Sequence, residues 1–242
     1  MQEVYLYQTV HILGGRSLHL TAHLAVLDRW SRELFGRPAG FRQQSLTRQI
    51  EALAAQTAPA DCDLSQFVRI VVPASGDPAF RLESEGISLY RGYDLRSLMP
   101  DAVTLQYDIP FPEAPTSARE AAAGLARQQA RLHGASVAVR CDGDGIVRTA
   151  DDAPLFAVRG KTAFVSPAEA CVERELGLRA VEAAGLELEE RPVMRGELPG
   201  FDELFYVDHR GVTALAHCDG HPCMAILAER VAQSLGGLFP KM

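Results

Sequence analysis

Lysine is almost absent from this sequence of 242 residues. Of its 24 basic residues, only Lys161 and Lys241 are lysines, and the others are arginines. A guanidinium stays protonated at any accessible pH, so arginine cannot supply the free amine that imine-forming chemistry requires. Covalent amine catalysis is therefore limited to these two lysines. Lys161 lies in an Arg-Gly-Lys segment typical of a hairpin turn, and Lys241 lies next to the C-terminus.

Other absences narrow the class of protein. No apolar run approaches the length of a membrane span, and the polar N-terminus has no signal-peptide pattern. The five cysteines are odd in number and have no framework spacing, which favours reduced thiols in a cytoplasmic protein. A net charge of −7 argues against a surface that binds nucleic acid or an anionic membrane.

The densest run of structural signals lies between Gly134 and Pro167. Val137 and Val139 alternate with smaller or polar residues, as in a half-buried strand. Asp142-Gly143 and Arg159-Gly160-Lys161 supply residues suited to tight connections. The pattern predicts an antiparallel meander of four strands.

Helices are predicted on both sides of this meander. Ser117 and Glu120 form a capping-box pattern, followed by an apolar stripe that contains Leu125 and Leu132 and ends at Gly134. A second capping-box pattern at Ser166–Glu169 predicts the start of a helix that runs to about Gly185. In the N-terminal part of the chain, strand and helix patterns alternate, and Gly86 predicts a bulge within a strand. The sequence therefore predicts an α+β fold.

The order of these elements resembles that of the fold type IV pyridoxal-phosphate enzymes. That superfamily contains the branched-chain and D-amino-acid aminotransferases and aminodeoxychorismate lyase. The helix ending before Gly134-Ala135, the Asp142-containing turn, Glu190-Arg191-Pro192 and Asp202-Glu203-Leu204-Phe205 are similar to motifs of that family. Tyr7-Gln8-Thr9 and His23-Leu24-Ala25-Val26-Leu27 are similar to its first strand and helix.

The resemblance implies two domains. We expect an N-terminal α/β sandwich over residues 1–108 and a C-terminal, barrel-like meander domain with helices over residues 109–242. It also implies a homodimer, without nucleic-acid or membrane partners.

The resemblance assigns the positions that would carry the chemistry, and two of them are altered. In the family, the lysine that holds pyridoxal phosphate precedes the helix ending in Gly-Ala, which places Thr116 at that position. The carboxylate that pairs with the pyridine nitrogen is matched by Thr149. A neutral hydroxyl neither forms the imine nor stabilises a protonated ring as a carboxylate does.

The positions that hold the phosphate in the family are altered as well. They are matched here by Val26, Cys171, Glu173 and His209. Glu173 would place a negative charge where the phosphate belongs. Only Arg69 and Arg174 match family arginines, and together with His209 they are the candidates for binding a cleft ligand.

These substitutions predict a family member that has lost pyridoxal phosphate, binds no cofactor, and is non-catalytic or repurposed to bind a small molecule or a protein. The alternative is a divergent branched-chain or D-amino-acid aminotransferase or aminodeoxychorismate lyase that uses the cofactor. A third hypothesis is a metal or thiol enzyme built on His217, Cys218, His221 and Cys223, with Cys171 as a further candidate nucleophile. Because its spacing is compressed around Asp219-Gly220, that segment is better explained as a hairpin turn, and we predict no metal site.

Overall fold

The computed structural model describes residues 3–57, 64–88, 92–93, 95–96 and 98–237. Cys62 and Lys241 lie outside these ranges. Internal contacts divide the chain into two compact units, one within Met1–Gly92 and Phe111–Arg119, the other within Tyr93–Pro110 and Glu120–Lys241. Helices and strands are mixed in both, so the predicted α+β class is confirmed.

The first unit is a four-stranded antiparallel sheet covered by two helices. The strands lie in the order β2-β1-β3-β4. Their bounds are β1 Tyr5–Leu13, β2 Arg16–Ser17, β3 Gln66–Pro73 and β4 Arg81–Ile87, and the helices are α1 Leu20–Phe35 and α2 Gln43–Thr57. Apolar side chains of β1 and β3 alternate toward the helices and form one core with Leu27, Trp30 and Ile50.

Two local features of this sheet bear on the predictions. The register of β3 and β4 shifts beside Gly86, whose φ is +89°, so the predicted bulge is confirmed. Thr116 forms an isolated antiparallel bridge with Leu6, and the Tyr7 amide donates to the Pro115 carbonyl at 2.9 Å. The segment before the next helix therefore runs along the edge of β1.

The second unit is built on an eleven-stranded sheet, whose main path is β15-β14-β6-β7-β8-β9-β12-β13-β5. β10 pairs with β9 and with β11 off this path. The bounds are β5 Leu95–Arg96, β6 Asp101–Gln106, β7 Val137–Cys141, β8 Val147–Ala150, β9 Ala153–Arg159, β10 Thr162–Val165, β11 Glu187–Glu190, β12 Glu203–Asp208, β13 Gly211–Ala214, β14 His217–Cys218 and β15 His221–Pro222. The strands β7 to β10 are the predicted meander, which is confirmed.

Three helices accompany this sheet: α3 Ser117–Leu132, α4 Val172–Ala183 and α5 Ile226–Gly237. A short 3-10 helix spans Arg195–Gly200. Gly177 of α4 lies directly against the ring of Phe156, which stacks on Phe205 at 5.2 Å between centroids. The buried Glu203 carboxylate accepts the amides of Leu227 and Ala228 and so caps α5.

Two sequence predictions about helices are wrong. The helix predicted from Ser166 begins at Val172, because the Ser166 hydroxyl accepts the Val193 amide at 3.1 Å instead of capping a helix. On α3, Leu125 and Leu132 are exposed, and the buried stripe consists of Ala123, Ala126 and Ala130. Among the residues described, no helix combines the length and apolarity needed to cross a membrane.

Candidate functional site

Thr116 occupies the place that the resemblance assigns to a lysine, in the first unit. It is buried, and its Oγ1 accepts the Arg119 amide at 3.2 Å. It immediately precedes α3, so it is the N-cap of that helix. The predicted capping by Ser117 is thus displaced by one residue, and the Ser117 Oγ instead accepts the Tyr5 amide at 3.4 Å.

Thr149 lies on β8, directly opposite Arg140 of β7. Residues opposite each other in an antiparallel pair point to the same side of the sheet. Thr149 is half-buried and Arg140 is buried. The place assigned to a carboxylate therefore holds a neutral hydroxyl beside a buried positive charge.

The start of α4 carries two acidic side chains. Cys171 is the N-cap residue, its side chain makes no capping hydrogen bond, and Glu173 and Glu175 lie in the first turn. A helix N-terminus attracts negative charge through its unpaired amides and its dipole. Here the carboxylates of the chain itself supply that charge.

His209 lies in the two-residue turn between β12 and β13, where Asp208 pairs with Gly211. The Arg210 amide donates to Asp208 Oδ1 at 2.8 Å and fixes the turn. Burial lowers the pKa of His209 to about 3, and the nearby Arg210 and Arg96 act in the same direction. The imidazole is therefore neutral at neutral pH.

Arg96 is the centre of a buried polar cluster that the sequence analysis did not predict. Its guanidinium donates to Thr213 Oγ1 at 2.6 Å, Tyr206 Oη at 3.2 Å and Asp208 Oδ2 at 3.1 Å. Burial raises the pKa of Asp208, while the charge of Arg96 opposes that rise. Burial likewise raises the pKa of Tyr206 to about 12, so its hydroxyl stays neutral.

Tyr93 feels the charges of both this cluster and the start of α4. The side chain is buried, and burial raises its pKa well above the usual value, with Glu173 and Asp208 acting in the same direction. The phenol is therefore neutral at neutral pH. No sequence motif marks Tyr93 or Arg96, because the partners of Arg96 lie more than 100 residues away in the chain.

The two arginines that match the family are both engaged. In the first unit, the guanidinium of Arg69 lies 4.2 Å from the ring centroid of Tyr7 and 3.4 Å from Glu85 Oε1. In the second unit, Arg174 is buried and forms an ion pair with Glu190 of β11. Val26, on α1, is half-buried and packs against the core of the first unit.

The segment 217–223 forms a hairpin. Asp219 and Gly220 both have positive φ, as a tight two-residue turn requires. The Asp219 carboxylate accepts the Thr104 amide at 2.8 Å and the Thr104 hydroxyl at 2.5 Å, and His217 Nδ1 lies 2.7 Å from Asp101 Oδ1. Within the described ranges, no three His, Cys, Asp or Glu side chains are grouped so as to hold a metal ion.

Comparison with known proteins identifies the family. The model of the amino-transferase class IV family matches residues 5–208, most of the chain. The chain belongs to this family. No curated protein matches the sequence significantly.

Solved structures of aminotransferases and of a putative lyase have a similar fold. Branched-chain amino acid aminotransferase from Escherichia coli superposes with a TM-score of 0.79 at 18% identity, over 98% of this chain and 86% of that one. A hypothetical aminotransferase from Mycobacterium tuberculosis gives a TM-score of 0.76 at 16% identity, over 96% and 88%. A putative 4-amino-4-deoxychorismate lyase from Legionella pneumophila gives 0.77 at 13% identity, over 96% and 90%.

Lys161 is the one lysine among the residues that the structure describes. It lies in the turn between β9 and β10, where Arg159 pairs with Thr162, and its side chain is exposed. Its backbone carbonyl accepts the Glu187 amide at 2.9 Å, which joins the turn to β11. The position is typical of a solvated turn residue in this class IV aminotransferase fold.

Of the residues assigned by the resemblance, Val26, Arg69 and Thr116 belong to the first unit, and Thr149, Cys171, Glu173, Arg174 and His209 to the second. Apart from Val26, the side chains at these positions can donate or accept hydrogen bonds. The hydroxyls, the thiol and the neutral imidazole carry no positive charge, and each of the two arginines already has a carboxylate partner.

Proposed function

We propose that this class IV aminotransferase homologue does not use pyridoxal phosphate and instead serves as a repurposed binder of a small molecule or a protein partner. The proposal rests on one observation: no lysine stands at the position assigned to the catalytic lysine, and Lys161 lies elsewhere. The position assigned to the catalytic lysine is a buried helix N-cap, Thr116, and Lys161 lies exposed in a hairpin turn. Neither arrangement provides an amine shielded from water, which imine chemistry requires.

The residues at the phosphate positions do not fit the cofactor either. A phosphate dianion at the start of α4 would meet the carboxylate of Glu173 in the first turn. In the turn at His209, the imidazole is neutral and adds no positive charge for a phosphate. Like charges repel at close range, so the acidic side chains already present at the start of α4 oppose the binding of an added anion.

The magnitude of the loss supports the same conclusion. A hydrogen bond to a charged group contributes about 1.5–3 kcal/mol, so the absence of three such contacts weakens binding by roughly 5–9 kcal/mol. That corresponds to about three to six orders of magnitude in affinity, before the missing imine is considered. Coupling between the contacts would reduce this sum.

The test is a titration of the purified protein with pyridoxal phosphate. Absorbance would report the imine, borohydride would trap it, and intact mass with peptide mapping would locate it. We expect no saturable band, and only adducts at exposed amines that grow in proportion to the reagent. The Lys161→Arg variant keeps the charge, removes the amine and should differ from the wild type only by the loss of that slow adduct.

The alternative function, a divergent aminotransferase or aminodeoxychorismate lyase, is supported by membership of the family. It predicts a saturable adduct of one cofactor per chain at Lys161. It also predicts amino-group transfer or lyase turnover that Lys161→Arg abolishes. Observation of both would overturn the proposal.

A further inference from the structure

A buried histidine and a buried serine share a hydrogen bond in the first unit. His11 of β1 and Ser65, which precedes β3, are each 0% exposed, and His11 Nε2 lies 2.6 Å from Ser65 Oγ. The same hydroxyl accepts the Gly92 amide at 2.7 Å, and the Ser65 carbonyl accepts the Ser88 amide at 2.7 Å. Ser65 therefore holds the chain at two points just before it leaves the first unit.

The partners of the Ser65 hydroxyl fix the direction of its hydrogen bonds. A serine hydroxyl donates one proton and can accept two hydrogen bonds. The Gly92 amide is a donor, so it occupies one acceptor site of the oxygen. Among the residues that the structure describes, His11 Nε2 is the one acceptor within reach of the hydroxyl. The Ser65 proton therefore points at Nε2, and this nitrogen carries no proton of its own.

The surroundings of His11 favour its neutral form. Phe67 of β3 pairs directly with His11, and the two ring centroids lie 5.1 Å apart. The titratable or charged residues on the elements around it are Tyr5 and Tyr7 of β1, Arg16 of β2, Arg69 of β3, Arg81, Glu83 and Glu85 of β4, and Tyr93. Glu85 is paired with Arg69 and Glu83 with Arg81, so each carboxylate already has an arginine partner. An imidazole closed to water beside a hydroxyl and an aromatic ring is costly to protonate.

Protonation of His11 would remove the acceptor of the Ser65 proton. The imidazolium N–H and the Gly92 amide would then both point at one oxygen, and the hydroxyl proton would have no acceptor in a site closed to water. A buried charge and an unsatisfied buried donor both cost free energy, so proton uptake favours a state in which the site is open. An imidazole in water takes up a proton near about pH 6.5, so the open state gains as the pH falls below about 6.5.

Gly92 is the residue at which such an opening would act. Its φ is +70°, and a Cβ atom there would lie 3.8 Å from Leu13 Cδ2. The next residue, Tyr93, is buried in the second unit, and Arg96 of the buried polar cluster follows on β5. The hydrogen bond at Gly92 thus fixes the backbone directly before the segment that carries this cluster.

We propose that His11, Ser65 and Gly92 form a pH-sensitive clasp, which is closed at neutral pH and opens in mildly acidic solution when His11 takes up a proton. Opening releases the Gly92 amide from Ser65 without unfolding the sheet of the first unit. The inference is independent of whether the protein binds pyridoxal phosphate.

The test is hydrogen exchange of the Gly92 amide, followed by NMR on the full chain and corrected for the intrinsic effect of pH. The Tyr7 amide, which donates to the Pro115 carbonyl in the same unit, is the reference for general loosening of the fold. Relative to Tyr7, the protection factor of Gly92 should fall by about tenfold or more between about pH 7 and 5. Long-range proton–nitrogen spectra at neutral pH should show His11 as the Nδ1–H tautomer.

Three variants separate the clasp from other effects of acid. His11→Gln keeps an acceptor that does not titrate, so Gly92 should stay protected at both pH values. His23→Gln removes the other buried imidazole of the unit, which is bonded to Gln8 at 2.7 Å, and should leave the pH dependence unchanged. Ser65→Ala should make exchange at Gly92 fast at both pH values.

Circular dichroism and the melting temperature at neutral pH show whether each variant is folded, and the wild type and His11→Gln decide the question even if Ser65→Ala is not. Three results would each overturn the proposal. They are a Gly92 protection factor that does not change with pH in the wild type, an Nε2–H tautomer of His11, and an equal pH dependence in His11→Gln and the wild type.

Discussion

At the scale of single residues, Gly177, the glycine of α4, is tightly constrained by its neighbours. A Cβ atom there would lie 2.5 Å from Cζ of Phe156 and 3.3 Å from Cγ2 of Val207. Alanine normally favours a helix over glycine by about 0.5–1 kcal/mol. Here the contact with the buried, stacked ring outweighs that gain, because overpacking a core costs about 1–3 kcal/mol.

We therefore expect Gly177→Ala to lower the free energy of unfolding, measured by urea denaturation, by about 1–2 kcal/mol. Gly124→Ala, on the open side of α3, is the matched control and should raise it by about 0.5–1 kcal/mol. If the two substitutions changed stability by the same amount and sign, the close approach of α4 to Phe156 would be disproved.

The lowered pKa of His209 predicts that the stability of the protein depends on pH. Its pKa is about 3 in the folded protein and 6.5 in an ordinary environment. Between these values the unfolded chain takes up a proton that the folded chain does not, so stability falls as the pH decreases from about 6.5 toward 3. Asp208 acts in the opposite sense, because burial raises its folded-state pKa.

The His209→Gln variant isolates this contribution. Urea midpoints between about pH 6.5 and 4.5 should fall less steeply for the variant than for the wild type, by up to about 2 kcal/mol over that range. Solvent screening reduces the figure, since the ring is half-buried. His221→Gln, on the exposed β15, controls for removal of an imidazole, and parallel curves for wild type and His209→Gln would refute the assignment.

At the scale of elements, α5 depends on a single carboxylate. Glu203 is buried on β12, and its two oxygens accept the Leu227 amide at 2.8 and 2.9 Å and the Ala228 amide at 2.8 Å. The first amides of a helix have no partner within it, and a negative charge there also compensates the helix dipole. The Glu203 carboxylate thus links β12 to the first turn of α5.

Glu203→Ala should lower the free energy of unfolding by about 2–3 kcal/mol, since it leaves buried amides without an acceptor. Glu203→Gln keeps one acceptor oxygen and should lose less. Glu229→Gln, in the exposed first turn of α5, should change stability by less than about 0.5 kcal/mol. Hydrogen exchange of the Leu227 and Ala228 amides reports the cap directly, and unchanged protection in Glu203→Ala would contradict it.

Elements with strong local signals were predictable from the sequence. The meander and the bulge at Gly86 follow from alternation and turn residues, which act over a few positions. The start of α4 was not predictable, because the Ser166 hydroxyl accepts the amide of Val193, which lies 27 residues further along the chain. The outward face of α3 was mispredicted for a related reason: apolar periodicity shows that a face is apolar but not which partner covers it.

The candidate site was predictable only as a set of positions. The resemblance assigned Thr116 and His209, but not the capping role of the first or the neutral ring of the second. The cluster of Arg96, Tyr206, Asp208 and Thr213 could not be predicted, because its members are polar residues at strand ends without common spacing. Only the folded sheet brings them together.

At the scale of the whole molecule, two thiols report global unfolding of the second unit. Burial raises the pKa of Cys141 to about 11 and that of Cys218 to about 12. Thiolate is the reactive form. These two thiols are therefore protected from alkylation both because they are buried and because they stay protonated. Cys171 and Cys223 are half-buried thiols.

Under native conditions at about pH 8, iodoacetamide should modify Cys171 much faster than Cys141 and Cys218, by about a hundredfold or more. Cys223 should react at an intermediate rate, because burial raises the pKa of its thiol. In denaturing urea all four should react alike. Peptide mapping with time distinguishes the sites. Rapid native modification of Cys141 would mean that β7 opens without global unfolding, contrary to its place in the centre of the sheet.

The exposed Lys161 makes the molecule unusually easy to address chemically. Apart from Lys241 and the α-amino group, an amine-directed dye or surface can attach only at the turn between β9 and β10. Immobilised through that turn, the second unit would be presented in one orientation. Because Lys241 and the α-amino group react as well, a fluorophore would be distributed over at most three sites in each copy, so the scarcity of lysine restricts labelling without any introduced residue.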